Sequence, residues 1–156
     1  RKPVIHQKEF LLGFRELMIF LFATVLFASC KEEPSDIPVI SNLTVEPMVV
    51  EEFTDTVTIS FDYYDYNGDL GYLDPNVTSL SVKDSRLQFE DLYHVAPLAP
   101  IDANVPIQGK LSVRLNNLFI LGNDTVERLQ FEVMIKDRNG RWSELVESDT
   151  ITVFRP

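Results

Sequence analysis

In Thr56-Val57-Thr58-Ile59-Ser60-Phe61-Asp62-Tyr63 every odd position is apolar or aromatic and every even position polar. A strand turns successive side chains to opposite faces, so this pattern places one face in a core and the other in water. A helix, with its longer period, cannot use it. Leu111, Val113 and Leu115 alternate in the same way with Ser112, Arg114 and Asn116. Leu129, Phe131, Val133 and Ile135 repeat the pattern, interrupted on the outer face by Met134. Shorter candidates are Leu43 to Val45, Leu80 to Val82 and Ile151 to Val153. Asn67-Gly68, Gly122-Asn123-Asp124 and Asn139-Gly140 supply turn signals between them. No stretch carries a sustained helical stripe. The expected fold is therefore all-β, an antiparallel two-sheet sandwich of about seven strands over residues 39–156. An up-and-down or jelly-roll barrel is the competing architecture. Pro97, Pro100 and Pro106 bar the segment 95–107 from a central strand, so it should cross between sheets or follow an edge.

A second constraint lies upstream. Leu17 to Ser29 is apolar throughout and ends at Cys30, the only cysteine. That run is shorter than the roughly 20 residues a membrane-spanning helix needs. Arg1, Lys2, Lys8 and Arg15 precede it, as in a secretory signal. Residues 1–29 read as a helical signal peptide and residues 30–38 as a lipid-modified cysteine and tether. The alternative is an anchor that stays attached, extended by Phe10, Leu11, Leu12 and Phe14 and interrupted by Arg15 and Glu16. The chain opens on Arg1, and Met18 lies too deep in the apolar core to start it, so a fragment or a misassigned start is expected.

Leu26-Phe27-Ala28-Ser29-Cys30 resembles a bacterial lipobox, with Phe27 where leucine is usual. Lys31, Glu32 and Glu33 are similar to the surface-export signal of Bacteroidota lipoproteins. The closing segment from Lys136 to Ser143, followed by a last strand, resembles the end of many bacterial immunoglobulin-like or fibronectin-III-like domains. Together these resemble a small surface lipoprotein with one such domain. The resemblance implies lipid anchoring in the outer membrane with display at the cell surface, the periplasmic face being the alternative. Two or three acyl chains make a stable anchor, where one holds only marginally.

The chain carries 14 Lys and Arg against 24 Asp and Glu, a net charge of −10. Four of the cations precede Cys30, so the domain itself is more acidic still. Such a surface opposes nucleic acid and anionic headgroups and suits divalent cations. With Cys30 lipidated, no disulfide can brace the domain, and packing or a metal must do so.

The densest polar segment runs from Asp62 to Asp74. Asp65, Asn67 and Asp69 alternate like the first ligands of a calcium loop, although Leu70 stands where that loop has glycine. A calcium loop shared between strands of a sandwich is the better comparison, and a tight Asn-Gly turn with solvated aspartates is the plain alternative. If 55–63 and 127–136 are the second and sixth strands of an immunoglobulin-like sandwich, the loops after both lie at one end. Asp137 and Asn139 would then approach Asp65 and Asp69. Tyr66, Tyr72 and Trp142 would crowd the same end as a ligand-binding tip, Tyr being a common hot-spot residue together with Trp. Tyr63 should point inward by its phase.

Catalytic signals are sparse. His94 is the one histidine past the leader and reads as a strand-edge or core residue; no serine sits in a glycine-flanked elbow. Zinc lacks ligands. A small carboxylate-dependent hydrolase is the alternative of a different class, since paired carboxylates are defined in space. Thr56, Thr125 and Thr150 each follow aspartate and precede an aliphatic residue, resembling the O-glycosylation site of exported Bacteroidota proteins. A turn-ending aspartate before a strand accounts for the same pattern. The expected function is a non-enzymatic binding module for a glycan or protein ligand. The alternative is an accessory subunit of an outer-membrane complex, docking through an apolar patch or open edge such as Leu118-Phe119-Ile120-Leu121.

Overall fold

The computed structural model describes residues 35–156. The signal peptide, Cys30 and the export signal at Lys31, Glu32 and Glu33 lie outside them. Residues 35–156 belong to one compact unit, and among them there is no helix.

The long alternating segment forms β3 (Thr56–Asp65), paired antiparallel with β1 (Val39–Glu46) on one side and β6 (Ile107–Asn116) on the other. Its inward residues Val57, Ile59 and Phe61 are fully buried, whereas the intervening Thr and Ser are half-buried. β4 (Leu80–Asp84) lies between β5 (Asp91–Tyr93) and β8 (Phe131–Ile135), and β9 (Val146–Glu147) pairs with the far side of β8. β10 (Ile151–Phe154) pairs antiparallel with β7 (Val126–Leu129) and parallel with β2 (Val49–Glu51). β7 and β8 are one line interrupted at Gln130, where the Ser148 hydroxyl accepts the Phe131 N–H at 2.9 Å. Core side chains from every one of these sheets, among them Phe61, Phe131, Val133 and Val153, meet in a single cluster. The arrangement is a β-sandwich.

Among the described residues, ten strands in three hydrogen-bonded sheets stand where about seven strands in two sheets were expected, and one pair is parallel rather than antiparallel. β2, β5 and β9 have three residues or fewer, too short to show alternation. The proline-bearing stretch crosses, as expected, from β5 in one sheet to β6 in another. The sheets keep free edges at β5 and β6 and do not close into a barrel. Leu118-Phe119-Ile120-Leu121 is not a strand: Ile120 is buried, Leu118 packs partly on the core, and Phe119 and Leu121 are exposed.

Candidate functional site

β3 and β8 end at the same pole, where Leu70 and Asp137 form an isolated antiparallel bridge. The structure therefore brings Asp65, Asn67 and Asp69 beside Asp137 and Asn139. Asp65 and Asp137 are completely buried. Two turns make this possible. Gly68 and Gly71 hold φ of +73° and +84°, and a Cβ on Gly71 would lie 2.2 Å from the Ala96 carbonyl oxygen. The loop is thus wedged under the proline-bearing crossover.

Arginine organises this pole. Arg141 donates its backbone N–H to Asp137 Oδ1 at 2.7 Å and its Nε to Asp137 Oδ2 at 2.6 Å. Its Nη1 reaches Asp36 Oδ2 at 3.1 Å, tying down the start of the domain. Arg138 donates to the carbonyls of Gly68, Leu70, Gly71 and Ile101, clasping the loop to the crossover. Asp65 Oδ2 accepts the Asp69 N–H at 2.7 Å, and Asp69 Oδ2 accepts Asn139 Nδ2 at 2.6 Å. Oriented to satisfy its neighbours, the Asn67 amide donates to Asp65 Oδ1 at 2.8 Å and Asp69 Oδ1 at 2.9 Å and accepts from Arg141 Nη2 at 2.9 Å. All six carboxylate oxygens of Asp65, Asp69 and Asp137 consequently accept a hydrogen bond from the chain.

Electrostatics follow from this closure. Burial pushes the Asp65 carboxyl above the usual aspartate range, opposed by the Asp69 N–H and reinforced by the Asp137 charge. Burial likewise raises Asp69, with Asp137 and Asp65 adding to it while Arg138 and Arg141 pull down. Calcium takes about six to eight oxygens, and here the positive charge inside the cluster is the Arg141 guanidinium. The residues as they stand do not fit a divalent cation. Among the described residues no group of three or more His, Cys, Asp and Glu is placed to hold a metal ion. The alternation of acidic residues is readable in the sequence; the pairing of Arg141 with Asp137 and the clasp of Arg138 on the loop carbonyls are not, because they depend on how the two loops meet.

The aromatic tip is divided. Tyr66 and Trp142 are exposed, but Tyr72 is half-buried and donates its hydroxyl to the Asp137 carbonyl at 2.5 Å. Lys136 Nζ stands 5.0 Å over the Trp142 ring. Tyr63 turns inward, its ring lying against Gly109 at the edge of the core. His94 is an exposed edge residue just past β5, with Nδ1 2.9 Å from the Val77 carbonyl. Thr56, Thr125 and Thr150 all sit where a turn passes into a strand; Thr125 and Thr150 are exposed, while the Thr56 hydroxyl is held by Asn116 Oδ1 at 2.9 Å.

The more open feature lies along the side of the sandwich. Two adjoining clefts, of about 370 and 480 Å³, share Tyr93 and Arg114 and run between the unpaired edges of β5 and β6. Leu111, Val113 and Leu115, the inward residues of β6, are only half-buried, in contrast to their β3 counterparts. Tyr66, Tyr72 and Trp142 line neither cleft. No family model matches this chain, and no curated protein matches it.

Proposed function

We propose that this chain is a Bacteroidota-type lipoprotein, anchored in the outer membrane through lipid on Cys30, whose immunoglobulin-like domain is a non-enzymatic binding module for an extended protein segment. The immunoglobulin-like reading rests on β3 and β8 lying in different sheets and ending at one pole, and on the parallel β2–β10 pair. Anchoring rests on the lipobox-like leader, and surface display on Lys31, Glu32 and Glu33.

The observation that carries the binding role is the open side of the sandwich. β6 spans ten residues, pairs on one side only, and borders two adjoining clefts whose walls mix apolar side chains such as Leu111, Val113 and Leu115 with charged ones such as Asp91 and Arg114. A strand edge offers backbone donors and acceptors to an added strand, and the adjoining cleft receives alternate side chains. Lys110 and Arg114 stand on this strand, which has no acidic residue, in an otherwise acidic domain. They discourage indiscriminate pairing and favour an acidic partner segment. The accessory-subunit reading draws support from a different place, the exposed Phe53 and Phe119 rings stacked 5.8 Å apart.

The test compares binding of the wild-type chain to outer-membrane fractions with that of variants. Arg114→Glu and Tyr93→Ser should each weaken it about ten-fold or more, as cleft hot spots do, while Tyr66→Ser should not. The reverse ranking would move the site to the tip, and a glycan-array signal lost with Tyr66 would make the ligand a sugar. Cys30→Ala should release the chain into the soluble fraction; retention in the membrane would overturn the lipid anchor.

A further inference from the structure

The outer face of the sheet β5–β4–β8–β9 is arranged in rows. Its middle row is Leu92, Ser81 and Met134, directly paired across three strands; Ser81 is itself buried between its neighbours, so the accessible apolar surface of the row is that of Leu92 and Met134. Leu92 is 48% exposed and Met134 half-exposed, and Leu145, 45% exposed, stands one residue before the inward-packed Val146 at the β9 margin. To one side of this row lie Lys136 and Trp142, bridged to each other. To the other side lie Lys83, Glu132 and Glu147, with Glu132 directly opposite Glu147.

Two charges here are left over. Like charges directly opposite on neighbouring strands are destabilising, and Lys83, 3.1 Å from Glu132, compensates only one of them. Glu147 and Lys136 have no ion-pair partner among the described residues. The surplus positive charge lies two residues along β8 from the apolar centre at Met134, and the surplus negative charge lies two residues along in the opposite direction.

We propose that this face docks on a second copy of the same chain. A two-fold axis lying between two such faces, and running across the strands along the middle row, sets the faces together with β8 antiparallel to β8. Met134 then meets Met134 and Leu92 meets Leu92. Lys136 of each copy stands over Glu132 and Glu147 of the other. The interface is isologous, as closed dimers require, with an apolar centre and a charged rim. It leaves the β5–β6 cleft open, so it is independent of the ligand-binding reading.

The test is sedimentation equilibrium of the full chain in density-matched detergent, with residues 34–156 run beside it. Both should dimerise, and the dimer should weaken as salt is raised. Met134→Glu should abolish it. Lys136→Glu should weaken it about ten-fold or more through like-charge contact, and adding Glu147→Lys should restore most of the loss. Circular dichroism of each variant verifies that the half-exposed positions leave the fold intact. A wild-type chain that stays monomeric in both preparations overturns the proposal. So does a dimer that survives both Met134→Glu and Lys136→Glu, because its interface must then lie elsewhere.

Discussion

The two poles of the sandwich use the same ingredients, carboxylates and arginines, in opposite ways. At the loop pole, Asp65, Asp69 and Asp137 are withdrawn from water; Arg141 pairs with Asp137, and Arg138 clasps the backbone carbonyls around them. At the other, Glu52 meets Arg155, and Glu127 and Asp84 meet Arg86. Burial raises Asp65 and Asp69, whereas the Arg155 hydrogen bond holds Glu52 below its ordinary value. Glu127 is also lowered, first by the Leu121 N–H, with further contributions from Gly122 and Arg86. Pairing outweighs desolvation at Glu52 and Glu127, each met directly by an arginine, and desolvation outweighs it at Asp65 and Asp69, where neighbouring aspartate charges add to it.

Removing the hub of the loop pole should have the largest effect. Arg141→Ala leaves Asp137, wholly buried, without its guanidinium partner. Breaking a buried pair by deleting one member costs about 3–5 kcal/mol, and the lower end applies because Arg141 retains some exposure. A urea melt should show a loss of about 3 kcal/mol, and the same measurement on Arg155→Ala a much smaller one. Equal losses would erase the distinction between the poles.

Gly71→Ala comes next. The new methyl would meet backbone at Ala96 and Pro97, in a conformation with positive φ that alanine resists. About 2 kcal/mol should be lost in the same assay. The domain should still fold, because the core cluster is otherwise untouched.

The sign of the pH dependence sharpens the contrast further. Asp65 and Asp69 have folded values above the unfolded one, so their contribution is complete below the unfolded pKa of about 3.9. It is lost as pH rises through their folded values. Glu52 and Glu127 run the other way: their contribution is present above the unfolded pKa of about 4.3 and is lost as pH falls through their folded values. Denaturation series between pH 3 and pH 7 should therefore show the cost of Asp65→Asn growing toward acid and that of Glu52→Gln shrinking. Parallel slopes would mean that burial does not govern the loop pole.

Long alternation made β3, β6 and β8 legible in the sequence, because one buried face per strand leaves a period-two trace over five or more residues. β2, β5 and β9 leave no such trace, since their place is set by neighbours and not by their own pattern. The meeting of Asp65 and Asp69 with Asp137 and Asn139 was legible too, from the direction of two strands alone. What filled the space between them was not. An arginine near an acidic run reads in sequence as surface charge; only the turns at Gly68 and Gly71 and the closing hairpin aim Arg138 and Arg141 inward. The open β5–β6 side was illegible for a related reason, since half-burial of Leu111, Val113 and Leu115 depends on a neighbouring strand's absence.

The smallest expected effect is the most direct measure of what the loop pole is. An ion bound only by the native state raises stability by about 2.7 kcal/mol when present at one hundred times its dissociation constant. Here six carboxylate oxygens are already engaged by Asn67, Asn139, Arg141 and the Asp69 backbone. Calcium would have to expel a guanidinium to enter, losing its hydrogen bonds to Asp137 and Asp36. A thermal melt in EDTA and then in millimolar calcium should show no shift for the wild type. Arg141→Ala should by contrast become calcium-responsive, because three aspartates are left facing a vacated space. A wild-type shift abolished by Asp69→Asn would establish that the ion displaces the arginine, and the two poles would then differ in their cation and not only in their burial.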